Sequence, residues 1–251
     1  MRKKEERQKL ILHHVSVHNR ILLTDIAQVL QVSTDTARRD IKELDELGKL
    51  KKVHGGAVSL VYHSGRSDRS NGIYAAEQKL RIAKKAVQLI KPNQVVLISG
   101  GTTNLELVRI LPPKLQATFF TPSLPIAQEL LAHPEIEVIF IGGRLSKPSR
   151  ISIGGSALNA LSQIKVDLCF LGTGYLDPVN GLTEFDWEVV QLKKAMIRAS
   201  KKVVLLTISE KLNSSQRYKI CEIQSINTLV TELDKEESTL SLYRNQDVEI
   251  L

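Results

Sequence analysis

The chain has 251 residues, of which 42% are hydrophobic, 25% charged and 4% aromatic. This composition is typical of a globular protein and excludes a collagen, a continuous coiled coil or a wholly disordered chain. The sequence contains no run of 18 apolar residues, the length that would indicate a membrane-spanning helix. Its charged start MRKKEER is not followed by the apolar core of a signal peptide. The two cysteines, Cys169 and Cys221, lack the spacing of a zinc cluster or a disulfide framework. We therefore expect a cytoplasmic protein of one or two domains, without a metal or other cofactor.

Positive charge is concentrated near the amino terminus. The chain carries 35 Lys and Arg against 27 Asp and Glu, and residues 1–60 hold 12 of the former and 8 of the latter. About a quarter of the chain thus carries half of the net charge of +8. Such a segment either binds a polyanion, most often nucleic acid, or is only a well-solvated surface, and charge alone does not separate the two.

Three segments follow one another along the chain. Residues 1–60 are rich in Lys and Arg, whereas residues 61–75 (VYHSGRSDRSNGIYA) are polar and rich in Gly and Ser, which is typical of a linker. Residues 76–251 alternate short apolar runs with helical patterns. We predict two domains, at 1–60 and 76–251, joined by a linker at 61–75.

The first domain is predicted to begin with three short helices. Apolar residues within 4–17 recur on one helical face. Thr24 is predicted to cap a second helix and Ser33 a third, and Gly48 ends the third because glycine adopts left-handed backbone readily. The apolar face of the third helix is expected to consist of Ala37, Ile41, Leu44 and Leu47.

Two short helices joined by a tight turn predict a helix-turn-helix. At 100° per residue, Arg38, Arg39 and Lys42 point away from the apolar face, close to the helix end that such motifs insert into the major groove. Arginine can bind guanine through two hydrogen bonds. The alternative is that the arginines only pair with acidic neighbours on a solvated helix, although the two-helix context favours DNA. Asp40 falls on the core side, and we expect it to be structural.

Residues 49–60 (KLKKVHGGAVSL) predict a β-hairpin that turns near His54, as in the wing of a winged helix. The hairpin lysines would contact DNA phosphates irrespective of base sequence. Thr34 and Thr36 could bind a phosphate at the start of the third helix. The predicted DNA-contacting residues are Thr24, Ser33, Thr34, Asp35, Thr36, Arg38, Arg39, Lys42, Lys51, Lys52 and His54.

These motifs resemble the signature of the DeoR family of bacterial repressors. The resemblance covers residues 5–58 in order and spacing, and it implies a winged helix-turn-helix that binds a double-stranded DNA operator. The residues that carry it are Arg7, Ile11 and Val15, the segment 33–41 (STDTARRDI) and the segment 53–57 (VHGGA).

The second domain is predicted to be an α/β domain with a mostly parallel sheet covered on both faces, because strands and helices alternate. Strands are predicted at 95–99, 117–121, 137–141, 166–171, 202–207, 228–230 and 248–251. Helices are predicted near 77–90, 103–111, 124–132, 156–163, 186–199 and 235–244.

Small and polar residues follow several of these strands. The richest such segment, called the glycine loop below, is 99–104 (SGGTTN), whose glycines would let backbone amides approach an anion at a helix start. Its spacing is that of neither a P-loop nor a GxGxxG motif. Similar loops lie at 121–123, 142–144 and 172–175. Because loops after parallel strands gather at one sheet edge, they predict a site for a phosphorylated small molecule.

The second domain also resembles the effector domain of the DeoR family, from residue 77 to residue 231. The resemblance implies a fold similar to ribose phosphate isomerases and sugar phosphates as inducers. It assigns the phosphate to the loop at 101–103 and cationic roles to Arg144, Lys193 and Lys211, although each lysine alone is more typical of a solvated surface. The predicted effector-binding residues are Ser99, Gly100, Gly101, Thr102, Thr103, Thr121, Ser123, Arg144, Gly172, Thr173, Lys193 and Lys211.

Five positions depart from the family pattern by lacking an expected acid or amide. Carboxylates and amides bind sugar hydroxyls, so the residues expected around the sugar match the family pattern less well than those expected around the phosphate. We expect an unusual or less hydroxylated effector, or a weakened site. The departing positions are Ser99, Pro122, Gly174, Gln191 and Ile208.

The main functional prediction is a transcriptional regulator, most simply a repressor of a carbohydrate-metabolism operon that responds to a phosphorylated sugar or related molecule. One recognition helix reads few bases, so a homodimer or homotetramer is expected. The alternative is a sugar phosphate isomerase, which needs a carboxylate base. The acids near a loop are Glu184, Asp186 and Glu188, and Asp186 equally suits a helix N-cap, so we expect no catalytic residues. A generic nucleic-acid binder would leave the second domain unexplained.

Overall fold

A computed structural model of the chain describes residues 3–60 and 74–251. The chain divides into an amino-terminal unit that ends at Tyr74 and a carboxy-terminal unit that begins at Ala75. Apart from its last two positions, the predicted linker at 61–75 lies outside the described residues. None of the helices in those two described ranges is both long and apolar enough to cross a bilayer.

The amino-terminal unit contains three helices and a small antiparallel sheet of order β1-β3-β2. The β2–β3 hairpin turns at His54 and Gly55, which confirms the predicted wing. Strand β1 was not predicted, because three residues are too short for a period-two pattern. The elements are α1 (Lys4–His18), β1 (Arg20–Leu22), α2 (Leu23–Leu30), α3 (Thr34–Glu46), β2 (Lys51–Val53) and β3 (Gly56–Val58).

Helix α3 begins and ends where the sequence predicts. The Ser33 hydroxyl accepts a hydrogen bond from the Thr36 amide at 3.2 Å, which is an N-cap. Gly48 follows the helix with a φ of +66°, a backbone conformation that glycine adopts without steric cost.

Two predictions at the ends of these helices are wrong. The residue before α2 is Leu22, because β1 runs directly into the helix, and the Thr24 hydroxyl instead donates to the Asp25 carboxylate at 3.0 Å. Leu47 does not lie in the core but is 62% exposed. It follows Glu46, the last helical residue, where the periodicity of the apolar face no longer applies.

The carboxy-terminal unit is built on seven parallel strands, which confirms the predicted sheet. Their order is β15-β14-β12-β9-β4-β5-β6. Two further antiparallel sheets, β7-β8 and β10-β11-β13, were not predicted, because their strands mix polar with apolar residues and lack the continuous apolar runs of the central parallel strands. The strands are β4 (Val95–Ile98), β5 (Ala117–Thr121), β6 (Ile136–Phe140), β7 (Arg144–Ser146), β8 (Ile151–Ile153), β9 (Val166–Gly172), β10 (Tyr175–Asp177), β11 (Gly181–Glu184), β12 (Ser200–Leu206), β13 (Tyr218–Cys221), β14 (Thr228–Val230) and β15 (Glu249–Ile250).

Helices lie between the sheet strands at the predicted places. Helix α4 packs on α5 and α5 on α6, while α7 packs on α8. The helices are α4 (Ala76–Ala86), α5 (Thr102–Arg109), α6 (Leu124–Leu130), α7 (Gly155–Ser162), α8 (Trp187–Arg198) and α9 (Ser241–Arg244), with 3-10 turns at Val87–Leu89, Ser209–Lys211, Ile223–Ser225 and Ser238–Leu240.

Strand order creates a crevice at the centre of this sheet. From β4 the chain moves outward through β5 to β6, and from β9 it moves the opposite way through β12 and β14 to β15. Neighbouring strands β4 and β9 are therefore a topological switch point. The loops that follow them diverge, and open α/β sheets bind ligands at the carboxyl ends of such strands.

Candidate functional site

The outward face of α3 presents positive charge. Arg38, Arg39 and Lys42 are exposed, whereas Ala37 and Ile41 on the opposite face are buried. The Arg38 guanidinium is paired with the Asp35 carboxylate, and the Lys42 Nζ lies 3.5 Å from Glu46 Oε1.

Arg39 differs from these two cations. It makes no hydrogen bond or ion pair with any residue that the structure describes. Its guanidinium keeps all its donors available to a partner, so the prediction that both arginines only pair with neighbours fits Arg38 and not Arg39.

The wing lies beside α3 and adds two exposed lysines. The Lys52 amide donates to Asp45 Oδ1 at 3.1 Å, and the Lys51 Nζ lies 3.4 Å from the same oxygen. Asp45 thereby ties the wing to the end of α3. His54 is exposed at the hairpin turn.

Of the remaining predicted DNA-contacting residues, two cap α3 and two are exposed on helices. The Ser33 and Thr36 hydroxyls lie 3.0 Å apart at the start of α3, where they form the cap. Thr34 is exposed in the first turn of the same helix. Thr24 lies on α2 and is also exposed. The contacts of all these residues with DNA remain predictions.

A buried ion pair holds α3 against α1. The Arg7 guanidinium donates to the two carboxylate oxygens of Asp40, at 2.7 Å and 3.1 Å, and both side chains are almost fully buried. This contact confirms the expectation that Asp40 is structural. The pair fixes α3, the helix that carries Arg39, because Arg7 lies 33 positions before Asp40 in the chain and belongs to a different helix.

The glycine loop lies at the switch point and is held by hydrogen bonds. The Ser99 Oγ accepts from the Gly172 amide at 2.9 Å and from the Asn104 Nδ2 at 3.0 Å. Asn104, which is fully buried, also donates to the Ser99 carbonyl at 2.8 Å. Gly101 has a φ of +123°, which only glycine adopts without strain. A Cβ on Gly172 would lie 2.8 Å from the Gly100 oxygen, so the loops after β4 and β9 are in direct contact.

The loop after β5 reaches the same place. The Thr121 hydroxyl donates to the Ile98 carbonyl at 2.7 Å and accepts from the Ser123 amide at 3.1 Å. Ser123 Oγ lies 3.2 Å from the position of a Cβ on Gly100. Thr121 therefore shapes the loop, and Ser123 lies against the glycine loop.

Three lysines are buried beside these loops and are called the lysine cluster: Lys79 of α4, Lys193 of α8 and Lys211 of the 3-10 turn after β12. The Lys211 Nζ donates to the Thr173 carbonyl at 2.7 Å. The Lys193 Nζ lies 3.4 Å from Glu184 Oε2. Thr173 and the loop that follows β9 thus connect the glycine loop to the lysine cluster.

Burial perturbs the lysines strongly. It lowers the pKa of Lys211 to about 7, with repulsion from Lys79 and Lys193 acting in the same direction and Glu184 opposing it. Burial also lowers the pKa of Lys79 to about 8, against the attraction of Glu106 and Glu210. Like charges buried together are unfavourable, and a bound anion would relieve their repulsion.

The structure separates the predicted cations. Lys193 and Lys211 belong to the cluster, whereas the Arg144 side chain on β7 is two-thirds exposed and lies 3.5 Å from Glu188. Among residues 74–251, Arg144 makes no hydrogen bond or ion pair with the cluster. Lys79 was not among the predicted site residues. It occupies the buried stripe of α4 with Ile82, Ala83 and Ala86, and a lysine at an apolar position of a helix is a detectable signal.

Glu184 was also missing from the predicted effector site. Its carboxylate lies over Gly174, so that a Cβ on Gly174 would be 2.8 Å from Glu184 Oε2. Gly174 is one of the positions where an acid was expected. Strand β11 therefore places the Glu184 carboxylate beside Gly174, in the loop after β9 that lacks the expected acid.

Two family models cover the two units. Residues 7–61 match the DeoR-like helix-turn-helix domain and residues 74–233 match the DeoR C terminal sensor domain. The HTH-type transcriptional repressor GlcR of Bacillus subtilis is 31% identical over 98% of this chain and 95% of its own length. The HTH-type transcriptional regulator GolR of Listeria innocua is 32% identical over 90% of each chain.

A solved structure, ribose 5-phosphate isomerase A from Methanocaldococcus jannaschii, aligns with 55% of this chain and 55% of its own, at 20% identity and a TM-score of 0.42. The family models and the two relatives span both units, and all of them indicate a helix-turn-helix transcriptional regulator. They confirm the prediction of a DNA-binding regulator over that of an enzyme as the main function. The chain belongs to the DeoR family of helix-turn-helix transcriptional regulators.

Proposed function

We propose that this regulator represses genes of carbohydrate metabolism in the cytoplasm, and that a phosphorylated small molecule bound at the lysine cluster changes its affinity for its operator. The observation that carries the second part is the burial of three lysines near one another: Lys211 contacts Thr173, Lys193 contacts Glu184, and Lys79 is close enough to repel Lys211. The three lysines bring more positive charge to this place than Glu184 neutralises, which suits an anion such as a phosphate monoester. The similar protein GlcR is a transcriptional repressor, which supports repression.

Operator binding is assigned to α3 and the wing. Arg39 is the candidate for base recognition, since its guanidinium has no partner among the described residues. Lys51 and Lys52 on the wing are candidates for phosphate contacts. A homodimer or homotetramer would place two such surfaces on a palindromic operator.

The chain acts as a sensor and not as an isomerase. The Glu184 carboxylate is paired with Lys193 and also accepts from the Phe185 amide at 3.1 Å, and we assign it to ligand binding and not to proton abstraction. Asp186 caps α8 by accepting from the Glu188 amide at 3.1 Å, and the Glu188 carboxylate lies 3.5 Å from Arg144. Sustained turnover of ribose 5-phosphate by the full chain would contradict this assignment.

Two alanine variants test the DNA surface. Arg39→Ala should weaken binding to a promoter fragment of the chain's own operon about 5- to 150-fold, because one bidentate base contact is lost. Lys51→Ala should weaken binding to that fragment and to a scrambled fragment equally, because phosphate contacts carry no sequence information. Affinities would be measured by fluorescence anisotropy at fixed salt.

Both variants should keep the melting temperature of the parent, since both side chains are exposed. Unchanged operator affinity in Arg39→Ala would show that α3 does not read bases through this residue. Failure of the parent to prefer any promoter fragment over scrambled DNA would contradict the operator proposal as a whole.

A further inference from the structure

We propose that Glu184 determines effector specificity: its carboxylate accepts a hydrogen bond from a hydroxyl group of a phosphate ester whose phosphate is held by the lysine cluster. This inference rests on the proposed effector site. It adds a residue that recognises the part of the ligand other than its phosphate.

Glu184 is a buried carboxylate in contact with these buried cations. Its Oε2 is 3.4 Å from the Lys193 Nζ, and its charge acts on Lys211 as well. Only 10% of its side chain is exposed. A carboxylate held at this depth next to the anion site would touch a ligand that binds there.

Gly174 leaves room for this carboxylate. A Cβ at this position would lie 2.8 Å from Glu184 Oε2 and 3.3 Å from Glu184 Cδ, which is too close for either group to stay in place. The φ of Gly174 is not in the left-handed region, so the backbone itself would accept alanine. Space for Glu184 is therefore the reason that the structure offers for glycine at this position.

The charges around Glu184 select the kind of ligand group. A second phosphate or carboxylate on the ligand would be repelled by Glu184, and an ammonium would be repelled by Lys193 and Lys211. A neutral donor meets neither penalty, and a hydroxyl can donate to the carboxylate in a strong, charge-assisted hydrogen bond. A hydroxylated phosphate ester satisfies both halves of the site.

The competing explanation is that Glu184 only neutralises the lysines. Both roles predict that Glu184→Gln binds inorganic phosphate more tightly, because a negative charge is removed beside an anion site. They differ for the hydroxyl: a counter-ion affects all phosphate ligands equally, whereas a hydroxyl acceptor affects only ligands that carry the hydroxyl.

The test compares three probes by titration calorimetry on the full chain at pH 7: inorganic phosphate, propyl phosphate and glycerol 3-phosphate. The two esters share a three-carbon chain and differ by two hydroxyls. The parent should prefer glycerol 3-phosphate over propyl phosphate by about tenfold or more, the value of one hydrogen bond to a charged group. Glu184→Gln should reduce that preference at least about threefold, because a neutral amide is the weaker acceptor. Glu184→Ala should abolish it.

The matched control is Glu137→Gln, the same change on an exposed carboxylate near the start of β6, an edge strand of the parallel sheet. It should leave all three affinities as in the parent. Binding of inorganic phosphate by each variant shows that the site is folded.

Glycine 174 gives a second, independent test. Gly174→Ala should displace the carboxylate and lower the preference for glycerol 3-phosphate. In a Glu184→Ala background the same change should have no further effect on that preference, since the group that it displaces is gone.

The outcomes separate the two proposals. An equal change in the affinities of both esters in Glu184→Gln, or the absence of a preference in the parent, would overturn the role of Glu184 while leaving the phosphate site intact. A parent that binds none of the three probes would instead contradict the proposed effector site.

Discussion

Lys211 shows how a single residue joins the fold to the proposed effector site. Its ammonium group is buried, donates to the Thr173 carbonyl at 2.7 Å and is repelled by two other lysines. Burial lowers its pKa to about 7, and that of Lys79 to about 8. Lys211 and Lys79 therefore lose their positive charge near and just above neutral pH.

Phosphate ester binding should accordingly weaken as the pH rises from 7 to 9. The ester is already a dianion above its second pKa of about 6, so the change reflects the protein. We expect at least about a tenfold loss of affinity for glycerol 3-phosphate, because each lysine that must regain a proton on binding contributes up to about tenfold per pH unit. Calorimetry in buffers of different ionisation enthalpy would also detect the proton uptake.

Lys211→Met should bind weakly at pH 7 and show a flatter pH profile. Lys201→Met, which changes an exposed lysine at the start of β12, is the matched control and should behave as the parent. Unfolding does not explain the loss: the folded pKa of Lys211 is below its unfolded value of 10.5, so this residue makes the free energy of unfolding rise between pH 7 and 10.5. An affinity that is constant from pH 7 to 9 would contradict the role of the cluster.

At the scale of elements, the recognition surface depends on how α1 holds α3. The Arg7–Asp40 pair is buried between the two helices. A second, exposed contact joins the same helices, with the Lys4 Nζ 2.6 Å from Glu43 Oε2 and the Gln8 Nε2 2.8 Å from the same oxygen. The two contacts have similar distances, so burial should make loss of one partner of the Arg7–Asp40 pair far more destabilising than loss of the exposed contact.

Arg7→Met should destabilise the amino-terminal unit by about 3–5 kcal/mol, because it leaves the Asp40 charge buried without its partner. The double variant Arg7→Met, Asp40→Leu should recover most of this stability, since it removes both charges. Lys4→Met, which breaks the exposed pair, should cost about 1 kcal/mol or less. Hydrogen exchange of the α1 and α3 amides in the full chain would measure the three effects separately from the carboxy-terminal unit. Equal protection in Arg7→Met and Lys4→Met would contradict this ranking.

For the whole molecule, sensing requires coupling between the two units. If a phosphate ester weakens operator binding by a given factor, thermodynamic linkage requires operator DNA to weaken ester binding by the same factor. Typical couplings are about 1–3 kcal/mol, or about 5- to 150-fold.

This reciprocity is directly measurable. Glycerol 3-phosphate, or whichever ester binds best, should be titrated into the chain with and without saturating operator, and operator affinity should be measured with and without saturating ester. We expect the two factors to agree within error and to disappear in Lys211→Met. Factors of one in both experiments would mean that the ester does not control DNA binding.

Much of the fold was predictable because its signals are local. The N-cap at Ser33, the glycine at position 48 and the turn at His54 and Gly55 each depend on the chemistry of a few neighbouring residues. The seven strands of the parallel sheet are short apolar runs, largely buried except in the edge strands β6 and β15, and they were found at nearly their observed bounds. Thr24 was assigned wrongly, because the preceding strand β1, which pairs with distant β3, decides where α2 begins.

The candidate sites were predictable only in part. The cations of α3 and the glycine loop could be placed from periodicity and from their position after a strand. Lys193 and Lys211 were placed in the effector site by the family resemblance, but Lys79 was missed, because the three lysines come from three elements whose proximity follows from strand order. The same holds for Glu184 above Gly174 and for Arg7 beside Asp40. Local patterns reflect the conformational preferences of adjacent residues, whereas burial, paired charges and shifted pKa values arise only when the folded chain brings remote side chains together.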